Sequence, residues 1–143
     1  ISGISRLNFN AKNSDGAAHA ILTTDSFKKE LCFKVVLKDG KSFKIAAIAK
    51  GAGMINPAMA TMLCFIATDA NVPKDDMQPL LKEAVDDSFN KISVDGDTST
   101  NDSVFLMTNG VSQAYDKEAF KAALKLLTFE LAMMILKDGE GAN

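Results

Sequence analysis

The alternation of hydrophobic and polar residues is clearest in the two segments that flank Asp39 and Gly40. Residues 31–37 and 41–48 are both rich in aliphatic and aromatic side chains, with polar residues between them. An Asp-Gly pair readily adopts the positive φ angles of a tight hairpin turn. The pattern therefore predicts a β-hairpin in which these two segments are the strands.

Three other short runs predict further strands. Residues 20–25 end in two threonines and an aspartate, residues 59–69 are almost wholly apolar, and residues 104–108 precede an Asn-Gly pair. A short apolar run bounded by loop residues is typical of a buried strand, which places Thr61 near the start of the strand predicted over 59–69. Residues 10–18 are polar and rich in turn formers, and they are predicted to form a loop.

Helical periodicity dominates the second half of the chain. A stripe of apolar residues predicts a helix over about 74–90, although Pro79 inside it allows a start at the proline instead. A second helix is predicted over 116–137, with Asp116 as its N-cap. Residues 1–9 carry apolar side chains at three-residue intervals, as at the end of a helix. Strands beside long helices predict an α+β fold, in which a β-sheet packs with helices.

Composition and charge restrict the class of protein. The chain of 143 residues is long enough for one domain, and its 16 basic and 18 acidic residues give a net charge of −2, so no nucleic acid and no anionic membrane is expected as a partner. No apolar run is long enough to span a bilayer, and residues 1–7 lack the pattern of a signal peptide. Since Cys32, Cys64 and one histidine are the only residues of these types, neither a disulfide framework nor a zinc site is expected, and the cysteine content suits a cytoplasmic protein.

Thr61 is the first candidate for chemistry, because it follows a small residue, Ala60, at the start of a predicted buried strand. If the peptide bond between the two residues were cut, Thr61 would gain a free α-amine with a pKa near about 8. That amine could accept the proton of the hydroxyl, so one residue would supply both nucleophile and base. A purely structural threonine in a buried strand is the other interpretation, and residue types alone do not separate the two.

Two loops carry further candidate chemistry. Lys50 precedes a Gly-Ala-Gly sequence, and backbone N–H groups of such a turn beside a lysine can bind an anion, but a solvated lysine before a tight turn is the alternative. Residues 95–102 carry oxygen-bearing side chains at alternate positions, as in the first half of a calcium loop. The same side chains could instead bond their own backbone. Asp25 and Asp69, at the ends of predicted strands, are interpreted as caps or turn formers.

Taken together, several segments resemble the signatures of a known family. Residues 50–63 and the following residues 65–70 resemble the self-processing region of the bifunctional ornithine acetyltransferases, the ArgJ family. Residues 20–25, 94–102 and 137–141 match three further signatures of that family in the family's order. The similarity covers nearly the whole chain.

The resemblance implies a DmpA/ArgJ-like self-processing fold and the activity of a glutamate N-acetyltransferase. A protein of this family cuts itself between an alanine and a threonine, which here are Ala60 and Thr61. The freed threonine is then the nucleophile that accepts an acetyl group from N-acetylornithine, and in some members from acetyl-CoA. It passes the acetyl group to glutamate, a step of arginine biosynthesis. The resemblance implies no metal and no cofactor.

The substrate contacts of the family correspond to Thr24, Lys50, Thr61 and Glu140, with Thr23 as the alternative to Thr24. A lysine suits the α-carboxylate that both amino-acid substrates share. A glutamate suits an ammonium group of ornithine, because it can accept charge-assisted hydrogen bonds. The resemblance therefore implies a site for an amino acid that carries both charges.

The resemblance also implies how the chain is organised. Residues 1–143 would be a single domain or the central part of a larger chain, with 1–60 as the end of an alpha piece and 61–143 as the start of a beta piece. In the family the two pieces assemble as a heterotetramer. Residues 95–102 would then support the site and would bind no metal ion.

Two other functions fit parts of the pattern. A self-processing aminopeptidase of the related fold would use the same threonine with water or an amine as acceptor, but it would not need Lys50 to bind an acceptor carboxylate. A non-catalytic calcium-binding or interaction module would use residues 95–102, and its melting temperature would respond to EDTA.

Overall fold

The computed structural model describes residues 14–52, 55–56, 59–60, 62–92 and 102–139. The predicted α+β class is confirmed, since these ranges contain both helices and strands and most of the strands follow one another directly in the chain. The helices are α1 (Ser14–Ala20), α2 (Lys74–Asp86) and α3 (Lys117–Lys137), with a 3-10 helix at Phe89–Lys91. The strands are β1 (Lys29–Val36), β2 (Ser42–Lys50), β3 (Ile55–Asn56), β4 (Met59–Ala60), β5 (Leu63–Thr68) and β6 (Ser103–Thr108).

Four of the strands form one sheet in the order β1-β2-β5-β6. β1 and β2 are the predicted antiparallel hairpin, and Gly40 in its turn has a φ of 82°, a conformation that favours glycine. β5 is antiparallel to β2, and β6 is parallel to β5. Because parallel neighbours need a crossover, the chain passes through α2 between them.

One face of the sheet packs against α3 and forms the core. Alternate residues of the central strands point to this face, and Phe43, Ile45 and Ile66 are fully buried there. The rings of Phe43 and Phe120 lie 5.7 Å apart between centroids. The helical period gives α3 a single buried stripe toward the sheet. Its large members are Phe120, Leu124, Leu127, Leu131 and Ile135.

Both long helices are confirmed, with two corrections to the bounds of the first. The helix predicted over about 74–90 ends at Asp86, and a separate 3-10 helix follows at Phe89–Lys91. The carboxylate of Asp116 accepts a hydrogen bond from the N–H of Ala119 at 2.8 Å, so Asp116 is the N-cap of α3 as predicted. α2 begins at Lys74 and continues through Pro79, so the alternative start at the proline is wrong. Packing against α3 offsets the one hydrogen bond that the proline removes. None of the described helices is long and apolar enough to cross a membrane.

The loop predicted over 10–18 is wrong in its second half, where α1 forms. Alanine is the strongest helix former, and it outweighs the turn-forming residues in this segment. Ala18 of α1 is also buried, so packing supports the helix. The helix end predicted over 1–9 lies outside the described residues, as do residues 10–13.

The strand predicted over 20–25 is also wrong, because this segment forms turns. The N–H of Leu22 donates to the carbonyl of His19 at 3.2 Å. The N–H of Thr23 donates to the carboxylate of Asp25 at 3.3 Å. Local hydrogen bonds of this kind compete with the pairing of strands, and here they prevail.

The strand predicted over 59–69 is divided in the structure. Its first part is the two-residue strand β4, which pairs with β3, and its second part is the buried strand β5. Thr61 lies between the two strands, outside the described residues. The predicted strand over 104–108 is confirmed as β6.

The opposite face of the sheet, here called the outer face, also carries several apolar side chains, although charged residues of β1 and β2 lie on it as well. Phe65 and Phe105 stack there with ring centroids 5.3 Å apart, and Phe105 and Met107 are 48% and 50% exposed. A pocket of about 510 Å³ lies on this face, with Ala46 and Ile48 among its lining residues. Among the described residues, the outer face is thus covered far less than the core face.

Candidate functional site

Lys50, the last residue of β2, is a buried residue. The alternation along β2 places its side chain on the outer face, on the same side as Ile48. The residue is only 7% exposed, and its Nζ donates to the Oγ1 of Thr23 at 3.4 Å. Within the described part of the chain, Lys50 forms no salt bridge. An anionic group of a ligand would therefore be stabilised at this position.

Lys29, at the start of β1, is the contrasting case. It is fully buried on the core side, and its Nζ lies 2.7 Å from Oδ1 of Asp25 and 2.5 Å from Oδ2 of Asp138. The ring centroid of Phe27 is 4.9 Å from the same ammonium group, which adds a cation–π contact. Two carboxylates of the chain itself neutralise the charge of Lys29, so its ammonium group needs no anionic ligand. Asp25, Lys29 and Asp138 are called the buried ion triad below.

Backbone N–H groups of two loops complete the triad. Oδ1 of Asp25 accepts from the N–H of Gly51 at 2.7 Å. The carboxylate of Asp138 accepts from the N–H of Ser26 at 3.0 and 3.1 Å. The triad therefore joins the turn before β1, the loop after β2 and the C-terminal end of α3.

The triad stabilises the ionised form of both carboxyl groups. Burial raises the pKa of Asp25 and of Asp138, but hydrogen bonds from Lys29 and from backbone N–H groups outweigh the burial. Both pKa values consequently lie below the ordinary value of 3.8. The folded structure thus binds protons at these sites less readily than the unfolded chain does.

The free energy of unfolding should therefore fall in acid. A carboxyl group whose pKa is depressed by folding stabilises the protein above its unfolded pKa, and this contribution is lost as the pH falls through the folded pKa. We expect the loss to begin near pH 4 and to continue below it, as measured by denaturant unfolding at a series of pH values. The decline should be shallower in Asp138→Asn, and an equally steep decline in that variant would contradict the assignment.

The structure also describes the backbone on both sides of Thr61. On one side, Ala60 in β4 pairs with Ile55 in β3. On the other side, the N–H of Met62 donates to Oδ1 of Asp102 at 2.8 Å, and its carbonyl accepts from the first residue of β6 at 3.1 Å. Backbone pairing and an aspartate therefore fix the two neighbours of the predicted nucleophile.

The structure brings two of the predicted substrate-binding positions together. Thr23 contacts Lys50 through its hydroxyl, and Thr24 is exposed directly beside it, so the choice between the two threonines stays a prediction. Thr61 and Glu140 lie outside the described residues. The triad nevertheless fixes the end of α3, two residues before Glu140.

The interpretation of two aspartates as caps or turn formers is incomplete. Asp25 accepts the local hydrogen bond of a turn, but it is also a member of the triad. Asp69 accepts a hydrogen bond at 2.6 Å from the N–H of Lys44, a residue of β2 that is distant in sequence. Of the candidate calcium loop over 95–102, residues 95–101 lie outside the described residues. Its last residue, Asp102, supports Met62.

Sequence reasoning does not identify Lys29 or Asp138. A signal for Lys29 is present, because it shares the phase of Leu31 and Phe33 on the inward side of β1. A lysine at an inward position of a strand requires a buried partner. Asp138 lies 109 residues away in sequence, so no local pattern points to it as that partner.

Comparison with known proteins finds a family and several relatives that match this chain. The model of the ArgJ family matches residues 1–143. The "Arginine biosynthesis bifunctional protein ArgJ" of Wolinella succinogenes is 59% identical over 132 residues, which cover 92% of this chain and 33% of that protein. The "Glutamate N-acetyltransferase" of Methanocaldococcus jannaschii is 51% identical over 136 residues, which cover 92% of this chain and 34% of that protein. The chain thus spans about a third of the length of these relatives.

Proposed function

Because the chain belongs to the ArgJ family, we propose that it is the part of a glutamate N-acetyltransferase that carries the nucleophile and one side of the amino-acid site. The donor is N-acetylornithine, the acceptor is glutamate, and the reaction belongs to arginine biosynthesis. Acetyl-CoA is a second candidate donor. Names of relatives at 59% and 51% identity support the activity.

The first step of the mechanism is self-cleavage between Ala60 and Thr61. The hydroxyl of Thr61 attacks the carbonyl of Ala60, and the C–N bond breaks, which leaves an ester and frees the α-amine of Thr61. Water then hydrolyses the ester, which gives the carboxylate of Ala60 and returns the hydroxyl of Thr61. The pairing of β4 with β3 and the hydrogen bond from Met62 to Asp102 support this step. Both restrain the backbone next to the reacting atoms, and such restraint lowers the entropic part of a barrier.

The second step transfers the acetyl group in two halves. The free amine of Thr61 takes the proton of the hydroxyl, and the oxygen attacks the acetyl carbonyl of N-acetylornithine. The C–N bond breaks, ornithine leaves with the proton on its amine, and the acetyl group remains as an ester of Thr61. The amine of glutamate then attacks the ester, and N-acetylglutamate leaves as the hydroxyl regains its proton.

The placement of Lys50, a buried residue at the end of β2, is the observation that carries this proposal. Its ammonium group is the part that would bind the substrate. It has a hydroxyl contact with Thr23 and no salt bridge within the described residues. The donor and the acceptor both have an α-carboxylate. This carboxylate would pair with the ammonium group of Lys50 and neutralise its charge. Thr24 or its neighbour Thr23 would bind the same end of the substrate, and Glu140 would bind an ammonium group of ornithine.

The proposal includes the assembly of the mature protein in the cytoplasm. The alpha piece would end with residues 1–60, and the beta piece would begin with residues 61–143. Leu126 and Phe129 are each 50% exposed on the side of α3 away from the sheet, and exposed apolar side chains of this size support contacts with further protein. We propose a heterotetramer of the two kinds of piece.

Mass spectrometry tests the proposal on a complete protein, that is, one that contains this chain and has the length of its relatives. Incubation with N-acetylornithine should add one acetyl group to the peptide that begins with Thr61, and later addition of glutamate should remove it. Incubation with ornithine is the control, since it carries no acetyl group. An acetyl group on any other residue, or none, would overturn the proposal.

The same samples separate the two alternative functions. An aminopeptidase would release amino acids from short peptides, and its acetyl ester would be lost to water as quickly as to glutamate. A calcium-binding module would show a melting temperature that falls when EDTA is added. We expect neither result.

A further inference from the structure

Three chain segments that carry proposed substrate-binding residues meet at the buried ion triad. Asp25 directly follows Thr24, and its carboxylate binds the N–H of the residue after Lys50. Asp138 ends α3 two residues before Glu140. Lys29 joins the two carboxylates from the centre. Segments that lie far apart in sequence are thus tied together at one point next to the proposed site.

We propose that Asp25, Lys29 and Asp138 are positioning residues for the amino-acid site: they set the geometry between Lys50, the Thr23–Thr24 turn and the end of α3. This inference rests on the proposed function. The three residues touch no substrate in this proposal. They act through the backbone of the residues that do.

The carboxylate of Asp25 shows how this positioning works. One of its oxygens accepts the N–H of Gly51 at 2.7 Å, and the other accepts the N–H of Thr23 at 3.3 Å. These two N–H groups belong to the residue that contacts Lys50 and to the residue that follows Lys50. A single side chain therefore fixes both sides of the contact between Lys50 and Thr23.

The ammonium group of Lys29 extends this positioning to α3. The side chains of Asp25 and Lys29 are 0% exposed and that of Asp138 is 2% exposed, so bulk water has little access to the three groups. Charge-assisted hydrogen bonds in such surroundings are short and directional. A shift of the end of α3 would therefore be transmitted to Asp25 and from there to the Lys50 contact.

Amide hydrogen exchange of the complete protein tests the positioning without any substrate. The N–H groups of Ser26 and Gly51 should exchange at least about tenfold more slowly than those of the exposed hairpin turn at 38–40, because both donate to buried carboxylates. In Asp138→Asn, exchange at Ser26 should become roughly tenfold faster. The matched control is Asp87→Asn, another aspartate that follows a helix end, whose carboxylate is exposed and pairs with surface lysines.

Kinetics of the same variants test the effect on the site. In Asp138→Asn the KM for both amino-acid substrates should rise by roughly tenfold while kcat changes by less than about threefold, since the binding geometry is altered and the nucleophile is kept. A merely structural role would lower the amount of active protein, and hence the apparent kcat, with KM unchanged. Asp87→Asn should alter neither constant.

The outcomes separate this inference from the proposed function. A wild-type protein without acetyl exchange overturns the proposed function, and the proposal of positioning residues for that reaction falls with it. A wild-type protein that exchanges acetyl, together with an unchanged KM in Asp138→Asn, overturns the inference alone. Rapid exchange of the amide hydrogens of Ser26 and Gly51 in the wild-type protein would also overturn the inference alone. This measurement does not depend on the folding of any variant.

Discussion

Replacement of Lys29 by methionine should lower the free energy of unfolding by about 3–5 kcal/mol. Methionine fills much of the same volume, so the main change is the loss of a charge between two buried carboxylates. Asp25 and Asp138 would then face each other without the ammonium group that lies 2.7 and 2.5 Å from them. One of the two carboxylates would have to bind a proton or leave the core, and either change destabilises the fold.

The matched control for this prediction is the neighbouring lysine. Lys28 pairs with Asp15 and Glu30 at the surface, where solvent screens the charges and ion pairs contribute little. Denaturant unfolding of complete proteins with Lys28→Met and Lys29→Met should therefore show a large effect for the second variant alone. A double variant with Lys29→Met and Asp138→Asn should recover part of the loss, because it removes the repulsion. Equal stability of the two single variants would contradict the assignment of the triad.

Replacement of Thr61 by valine should abolish both self-cleavage and acetyl exchange. Valine has nearly the same shape but no hydroxyl, so the attack on Ala60 and the attack on the acetyl donor lose their nucleophile. We expect acetyl exchange to fall by at least about a thousandfold, as is usual when a nucleophile is removed. Intact mass of the complete protein should show one uncut chain.

The control for this variant keeps the hydroxyl. Thr61→Ser retains both the oxygen and the amine, and we expect it to be cut and to transfer acetyl at a reduced rate. A valine variant that is cut and active would show that another residue is the nucleophile, and the proposed mechanism would be wrong.

The parts of the fold that were predictable are those in which one local pattern dominates. The hairpin with its Asp-Gly turn and the long helix capped by Asp116 follow from signals within a few residues. The errors fall where local signals conflict, as in residues 10–18, where alanines outweigh turn formers, and in residues 20–25, where side-chain hydrogen bonds replace a strand.

For the candidate site, prediction from the sequence is limited in a different way. Lys50 and Thr24, with Thr23 as the alternative to Thr24, are predicted from motifs that resemble a family, and the structure places Thr23 against Lys50. The triad could not be found in the same way, because its carboxylates come from segments more than a hundred residues apart. Only the phase of Lys29 within its strand indicates that a buried partner must exist.

A break in the backbone between Ala60 and Thr61 would divide the central sheet between two peptides. β1 and β2 would belong to one of them, and β5, β6 and the two long helices to the other, although β2 and β5 are hydrogen-bonded neighbours. Lys29 would then hold one carboxylate of its own peptide and one of the other. Neither peptide could bury its apolar surface alone. The two would behave as an obligate pair, as in fragment complementation, and maturation would alter connectivity while the core stayed as it was.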